Sequence, residues 1–208
     1  MGVKVRRSTN NIPRMKKLMK KLGKVDIEVG IFGSDGYTYG TAADMVTIAA
    51  VHEYGTTIKP KNAEWLTLPL IPAAKGKRAS DFPDLVFYKT DDDTAFLGRK
   101  VGKEMQNVFI LVKSVTIPER SFIRTGFDKN VDKIGDKIEQ LMQQVIDFNI
   151  DPDTFANMIG LEFAGLIQKH TRSISSPPNA GLTAAVKGSS NPLNDTGRLI
   201  GAIRHEVK

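Results

Sequence analysis

The run FDKNVDKIGDKIEQLMQQVIDFNIDPDTFANMIGLEFAGLIQK, residues 127–169, decides the fold class. Phe127, Val131, Ile134, Ile138, Leu141, Val145 and Phe148 recur at intervals of four and three, the spacing of one face of a long amphipathic helix. Lys129, Asp132, Lys133, Asp136, Lys137 and Glu139 fall on its wetter sides. Asp151-Pro152 then supplies a cap and a first-turn proline for a second helix. There Phe155, Met158, Ile159, Leu161, Phe163, Leu166 and Ile167 cover much of the circumference, which predicts burial between layers. The two helices form an αα-hairpin.

Upstream, VDIEVGIF alternates, with Val25, Ile27, Val29 and Ile31 against Asp26 and Glu28, the pattern of a half-buried strand. Its partners must come from later in the chain, and the tail offers one, where Ala202, Arg204 and Glu206 alternate with Ile203, His205 and Val207. Between them TAADMVTIAAVHEYG reads as a helix with Met45, Ile48, Ala49 and His52 on one stripe and Gly55 as its stop. The fold class is therefore α+β, an antiparallel sheet packed against a long two-helix hairpin.

From about residue 60 to 117 the pattern changes to the short strand-like runs WLTLPL, DLVFYK and NVFILVKSVTI, broken by Pro, Gly and Asp91-Asp92-Asp93. This is an inserted β-rich arm. The aspartate triplet has the donors for a divalent cation, although such triplets in hairpin turns are usually solvated. The loop PAAKGKRAS is basic but lacks the spacing of a phosphate loop.

The chain has 208 residues, enough for a single domain over 1–208, with 40% hydrophobic and 25% charged residues, a globular composition. With no cysteine, disulfides, thiolate metal sites and cysteine nucleophiles are excluded together. No apolar run approaches the ~20 residues that span a bilayer. The basic start MGVKVRRSTNN leads into lysines instead of an apolar segment, and Arg6 stands where a myristoylation signal has Ser or Thr, so a soluble cytoplasmic product is expected.

Net charge is +7, and much of the excess lies at the N-terminus. After the capping cluster Ser8 to Asn11, Ile12, Met15, Met19 and Leu22 mark an amphipathic helix of about residues 11–23, with Pro13 in its first turn and Gly23 at its end. Arg6, Arg7, Lys16, Lys17, Lys20, Lys21 and Lys24 are the candidate contacts to DNA or an acidic surface. A solvated lysine face explains them as well, since no aromatic residue is interleaved to stack on bases.

Catalytic readings fail on spacing. His52-Glu53 would need a second histidine four positions after His52, where Thr56 stands. His170 has no carboxylate or serine at a catalytic spacing, and its place near a helix C-terminus suits a cation on the macrodipole. Asp195-Thr196-Gly197 spells the aspartic-protease triplet, which requires two carboxylates sharing a proton and hence a dimer. Asn194 precedes it, Arg198 follows, and eleven residues remain, too few for the rest of such a lobe. Asp195 or Thr196 serves better as the N-cap of a terminal helix, with Leu199, Ile200 and Ile203 buried and Arg198 an exposed donor for a neighbouring carboxylate.

The order VDIEVGIF, IAAVHEYGT, IPERSFIRTGFD, PPNAGLT, Lys187-Gly188 and NPLNDTGRLIGAIRHEV resembles the tailed-phage neck proteins, known as head-to-tail connector, tail-completion, minor tail or virion morphogenesis proteins. The motifs span nearly the whole chain, and the inserted arm resembles that of the longer members. IPERSF carries Glu119 and Ser121 where the family commonly has Ala and Pro. The resemblance implies a non-enzymatic virion protein, made in the host bacterial cytoplasm, that needs no cofactor and forms a ring at the neck. A hexamer comes first and a dodecamer second, with adjoining neck, adaptor and tail proteins as partners, phage DNA in the channel and no membrane. A tail-terminator ring and a nucleic-acid-binding module are the alternatives. A ring contact joins two different patches, and Arg120, Phe122, Arg124, Asp195 and Arg198 are the interface candidates.

Overall fold

The computed structural model describes residues 10–33, 44–187 and 191–208. Arg6 and Arg7 lie outside the described residues. The chain is α+β, and among the described residues its strands pair only in antiparallel fashion.

At the centre lies α5 (Pro152–Ser173), started as expected by Asp151, whose Oδ1 accepts from the backbone N–H of Asp153 and Thr154 at 2.9 and 3.0 Å. Phe155, Ile159, Phe163 and Ile167 from α5 meet Ile134, Leu141 and Val145 of α4 (Val131–Ile146) in the main core. The helix expected from Phe127 onward is broken in two, α3 (Phe122–Asp128) and α4. Buried Asn130 causes the break, because its Nδ2 donates to the Gly126 carbonyl at 2.8 Å, a side-chain bond that competes with the helical ladder. The apolar stripe is consequently only partly covered, and Phe127, Val131 and Ile138 stay exposed. Nor is α5 covered all round, since Leu161 is 67% exposed and Met158 also faces outward.

On the opposite side of α5 lies the sheet of the main body, a single pair of β1 (Ile27–Gly30) and β8 (Arg204–Val207), with Ile27 opposite Val207 and Gly30 opposite Arg204. The strand expected at the tail thus completes the strand expected near the start. Contact is close at Gly160, where a Cβ would come within 2.5 Å of the His205 ring. The N-terminal α1 (Ile12–Leu22) docks through Leu18, Met15 and Leu22, while Ile12 and Met19 of the expected stripe remain exposed.

The inserted arm springs from a two-stranded stem, β2 (Thr56–Ile58) against β7 (Val115–Ile117). Beyond the stem four strands pair in the order β3-β6-β5-β4, that is Leu66–Pro69, Glu104–Val112, Ala95–Val101 and Val86–Lys89. The segment 70–85 folds over one face to bury Val108 and Phe109 with Ala74 and Phe82 in a second small core. The sequence pattern does not announce β5, because Gly98, Arg99 and Lys100 interrupt its alternation and the ladder shifts register between Leu97 and Gly98.

Candidate functional site

Three of the motifs quoted above, IAAVHEYGT, IPERSFIRTGFD and PPNAGLT, meet at one buried joint. Helix α2 (Met45–Tyr54) is capped by Asp44, whose Oδ1 accepts from Thr47 N at 2.6 Å, and it delivers Glu53 into the interior. Glu53 is 4% exposed, and its carboxylate accepts from Ser121 Oγ at 2.9 Å, Ile123 N at 2.9 Å, and Arg124 N and Nε at 3.0 Å each. Burial pushes its pKa up, but these four bonds outweigh burial and hold it below the ordinary glutamate value. Arg124 also donates to the Glu53 carbonyl and to Glu119 Oε1, at 3.0 and 2.8 Å, and lies over the Tyr54 ring.

Gly55 follows at φ 68°, and a Cβ there would sit 2.7 Å from Glu119 N, so the tight turn and the close approach both require glycine. Arg120 turns the other way. Its N–H donates to the His52 carbonyl at 2.7 Å, and its guanidinium donates to the carbonyls of Pro177 and Pro178 at 2.7 and 3.0 Å. HEYG, ERSFIR and SPP, far apart in sequence, are thereby locked together.

This corrects part of the expected interface. Arg120 is buried, with Nε and Nη2 donating to carbonyls of its own chain, and Phe122 is buried in the core, so this structure presents neither at the surface. Arg124 remains about half exposed while holding Glu53 and Glu119. Glu119 and Ser121 both take part in the joint.

The Asp-Thr-Gly triplet borders a cleft of about 270 Å³ that is also lined by His52, Asn179, Lys187 and Arg198. Asp195 caps nothing. The N-cap of α7 (Arg198–Gly201) is Gly197, at φ 77°, and Asp195 Oδ1 instead accepts from Lys75 Nζ of the arm at 2.9 Å. A protease dyad would need that oxygen for a shared proton, and none of the described residues lining the cleft supplies a second carboxylate. Arg198 is exposed on the rim. Lys187 (α6, Gly181–Lys187) donates to the carbonyls of Asn191 and Pro192 at 2.7 and 3.2 Å.

His52 is held neutral. Burial first, then the charges of Arg120 and Lys187, bring its pKa from 6.5 to about 4, and its buried Nδ1 has no hydrogen-bond partner. His170 is not the cation expected on the macrodipole, because burial lowers its pKa and Thr125 Oγ1 lies 2.8 Å from its Nε2.

In the aspartate triplet, Asp92 accepts from the hydroxyls of Thr90 and Thr94 and Asp93 pairs with Lys89, which leaves a self-satisfied turn. No group of three potential metal ligands occurs among the described residues. On α1, Lys16, Lys17 and Lys20 are exposed, as is Lys24 just beyond its end. Lys21 approaches Asp153 at 3.7 Å, and the Arg14 guanidinium lies over the Phe148 ring. No described helix is long and apolar enough to cross a membrane.

Glu53 and Lys75 organise these two regions, and neither is prominent in the sequence. The sign that could have exposed Glu53 is an acidic residue at the end of an apolar helix, with arginines to match it in ERSFIR. Lys75 carries no local sign. No family model, no curated protein and no solved structure matches the chain.

Proposed function

We propose that this protein is a structural component of a tailed-phage virion, a neck protein that assembles as a homo-oligomeric ring around the DNA channel and joins the capsid side to the tail. The observation that supports the reading is the convergence of HEYG, ERSFIR and SPP on one joint with no reactive group at its centre. Glu53 is saturated with donors, Arg120 is held by carbonyls, and the histidine beside them is neutral. A catalytic site keeps a group available to substrate; here Glu53 and Arg120 are committed to partners and the unpaired His52 Nδ1 is buried, as suits a joint that holds shape.

Outside the joint, the chain presents what an assembly protein needs, apolar side chains exposed on the helical hairpin and a protruding arm. Hexamer is the first stoichiometry and dodecamer the second. A tail-terminator ring is the nearest alternative. Particles lacking the protein decide between them under the electron microscope: filled heads beside free tails indicate tail completion, and tails of uncontrolled length indicate a terminator. A purified chain that stays monomeric at high concentration and is absent from virions by mass spectrometry removes the proposal.

A second reading, nucleic-acid binding, is favoured by the exposed Lys16, Lys17, Lys20 and Lys24 at α1. It is compatible with a ring whose lumen carries DNA, and its signature is a steep salt dependence of affinity.

A further inference from the structure

Two surfaces of this chain have complementary character and no cover. The first is a groove along α4 and α5, formed by adjoining hollows of about 440 and about 490 Å³ that share Leu166 and Lys169. Its apolar lining is Met158, Leu161 and Leu166, and its charged lining is Lys129, Lys133, Lys137 and Lys169 against the single acid Glu162, which leaves it basic. None of Lys133, Lys137 and Lys169 forms an ion pair with a described residue.

The second surface is the arm's outer edge. β4 is an edge strand, with β5 on one side and no described strand on the other. Val86 and Phe87 are 50% and 52% exposed there. Asp84 precedes the strand and Asp91 to Asp93 follow it, four acids over residues 84–93 against Lys89 alone, which is itself held by Asp93.

An exposed edge strand with large apolar side chains is a pairing hazard unless something covers it.

We infer that the β4 edge of one copy's arm seats in the lysine-rimmed groove between α4 and α5 of the next copy. The contact is heterologous, one patch meeting a different one, and its repetition closes a ring when the rotation between copies divides a full turn. The inference rests on the ring reading and deepens it by naming the two faces that meet. Phe87 would cover Met158 and Leu161, while Asp84 and Asp91 would face Lys133, Lys137 and Lys169.

Because the chain lacks cysteine, an engineered pair reports the contact directly. Full-length Phe87→Cys and Leu161→Cys, both at exposed positions, are mixed and oxidised. The expected product is the mixed disulfide dimer, in excess over either homodimer. In parallel, the groove variant Lys133→Glu/Lys137→Glu/Lys169→Glu and the arm variant Asp84→Lys/Asp91→Lys each weaken self-association at least about 100-fold in sedimentation, since like charges are brought together. Mixed with each other, they assemble again, because every contact then joins opposite charges, the intact arm to the intact groove and the lysine arm to the glutamate groove.

Circular dichroism confirms that each variant keeps its fold. Assembly of the wild type that survives both charge reversals, without the mixed disulfide, overturns the inference and leaves the ring reading standing, because the groove then takes another occupant. A wild-type chain that is monomeric at high micromolar concentration overturns both.

Discussion

Glu53 Oε1 lies 3.0 Å from Arg124 Nε, and this pair holds the end of α2 against the start of α3. Glu53 is buried and Arg124 is half exposed, so the two sides of the pair respond differently to removal. Glu53→Gln places an amide NH2 among backbone donors and leaves the arginine without its anion. A loss of about 2–4 kcal/mol is expected. Arg124→Ala leaves Glu53 its other three donors and costs less, about 1–2 kcal/mol. Urea unfolding measures both as shifts in midpoint at constant slope. Because the pKa of Glu53 is depressed on folding, its contribution is complete above the ordinary glutamate value of 4.5 and lost as pH falls through the folded value. Glu53→Gln removes that part of the acid dependence.

Gly55→Ala tests the turn behind that pair. The backbone at φ 68° disfavours any Cβ, and the atom it would meet, Glu119 N at 2.7 Å, belongs to the main chain and cannot swing aside. Roughly 3 kcal/mol of stability is lost, from strain and displacement of the ERSFIR segment together. Thermal unfolding registers it, and Gly30→Ala is the control, since nothing lies within 4 Å of a Cβ there.

His52 sets a second pH dependence at higher pH than Glu53. Its folded pKa of about 4 lies below the ordinary 6.5, so between these values the unfolded chain takes up a proton that the folded chain refuses. Stability therefore falls as the solution is acidified from 6.5 toward 4, by at most ~3 kcal/mol at ~1.36 kcal/mol per pH unit. His52→Leu, which removes the titrating group and its unpartnered nitrogen, flattens the curve in this window.

These effects mark where the sequence is legible and where it is not. Element type follows from local pattern, so α5 with its Asp151 cap, the alternation that makes β1 and β8, and the change of pattern that marks the arm can all be read directly. Strand β5 cannot, since its bulge and charged end hide the period. Burial depends on distant neighbours, and so Leu161 and Ile138 look like core residues and are exposed, while Arg120 looks like a surface donor and is buried. The helix break at Asn130 comes from one side-chain bond. Lys75 and Asp195 meet across 120 positions, and nothing around either residue encodes that meeting.

Asp195→Asn separates the protease reading from the structural one. The amide still accepts from Lys75 but loses its charge, and both side chains are partly exposed, so stability changes by no more than ~1 kcal/mol. Under the proposed virion role, infectious particles continue to form at the wild-type yield. A hydrolase dependent on this carboxylate would lose the yield entirely, and particle titre with urea unfolding on the same variant distinguishes the outcomes.

The lysines of α1 give a quantitative test of DNA contact. Lys16, Lys17 and Lys20 are exposed on a helix anchored by Leu18, and Gln has nearly the same helix propensity as Lys. The triple Lys→Gln variant therefore keeps its stability within ~0.5 kcal/mol. If each lysine neutralises one phosphate, counterion release makes the plot of log affinity against log salt shallower by about 0.9 per lysine, or about 2.7 in all. The loss is uniform across DNA sequences, because phosphates carry no sequence information. Fluorescence anisotropy with a short duplex over a series of salt concentrations measures the slope. An unchanged slope in the variant assigns these lysines to solvent and leaves the proposed ring without a DNA-facing role for α1.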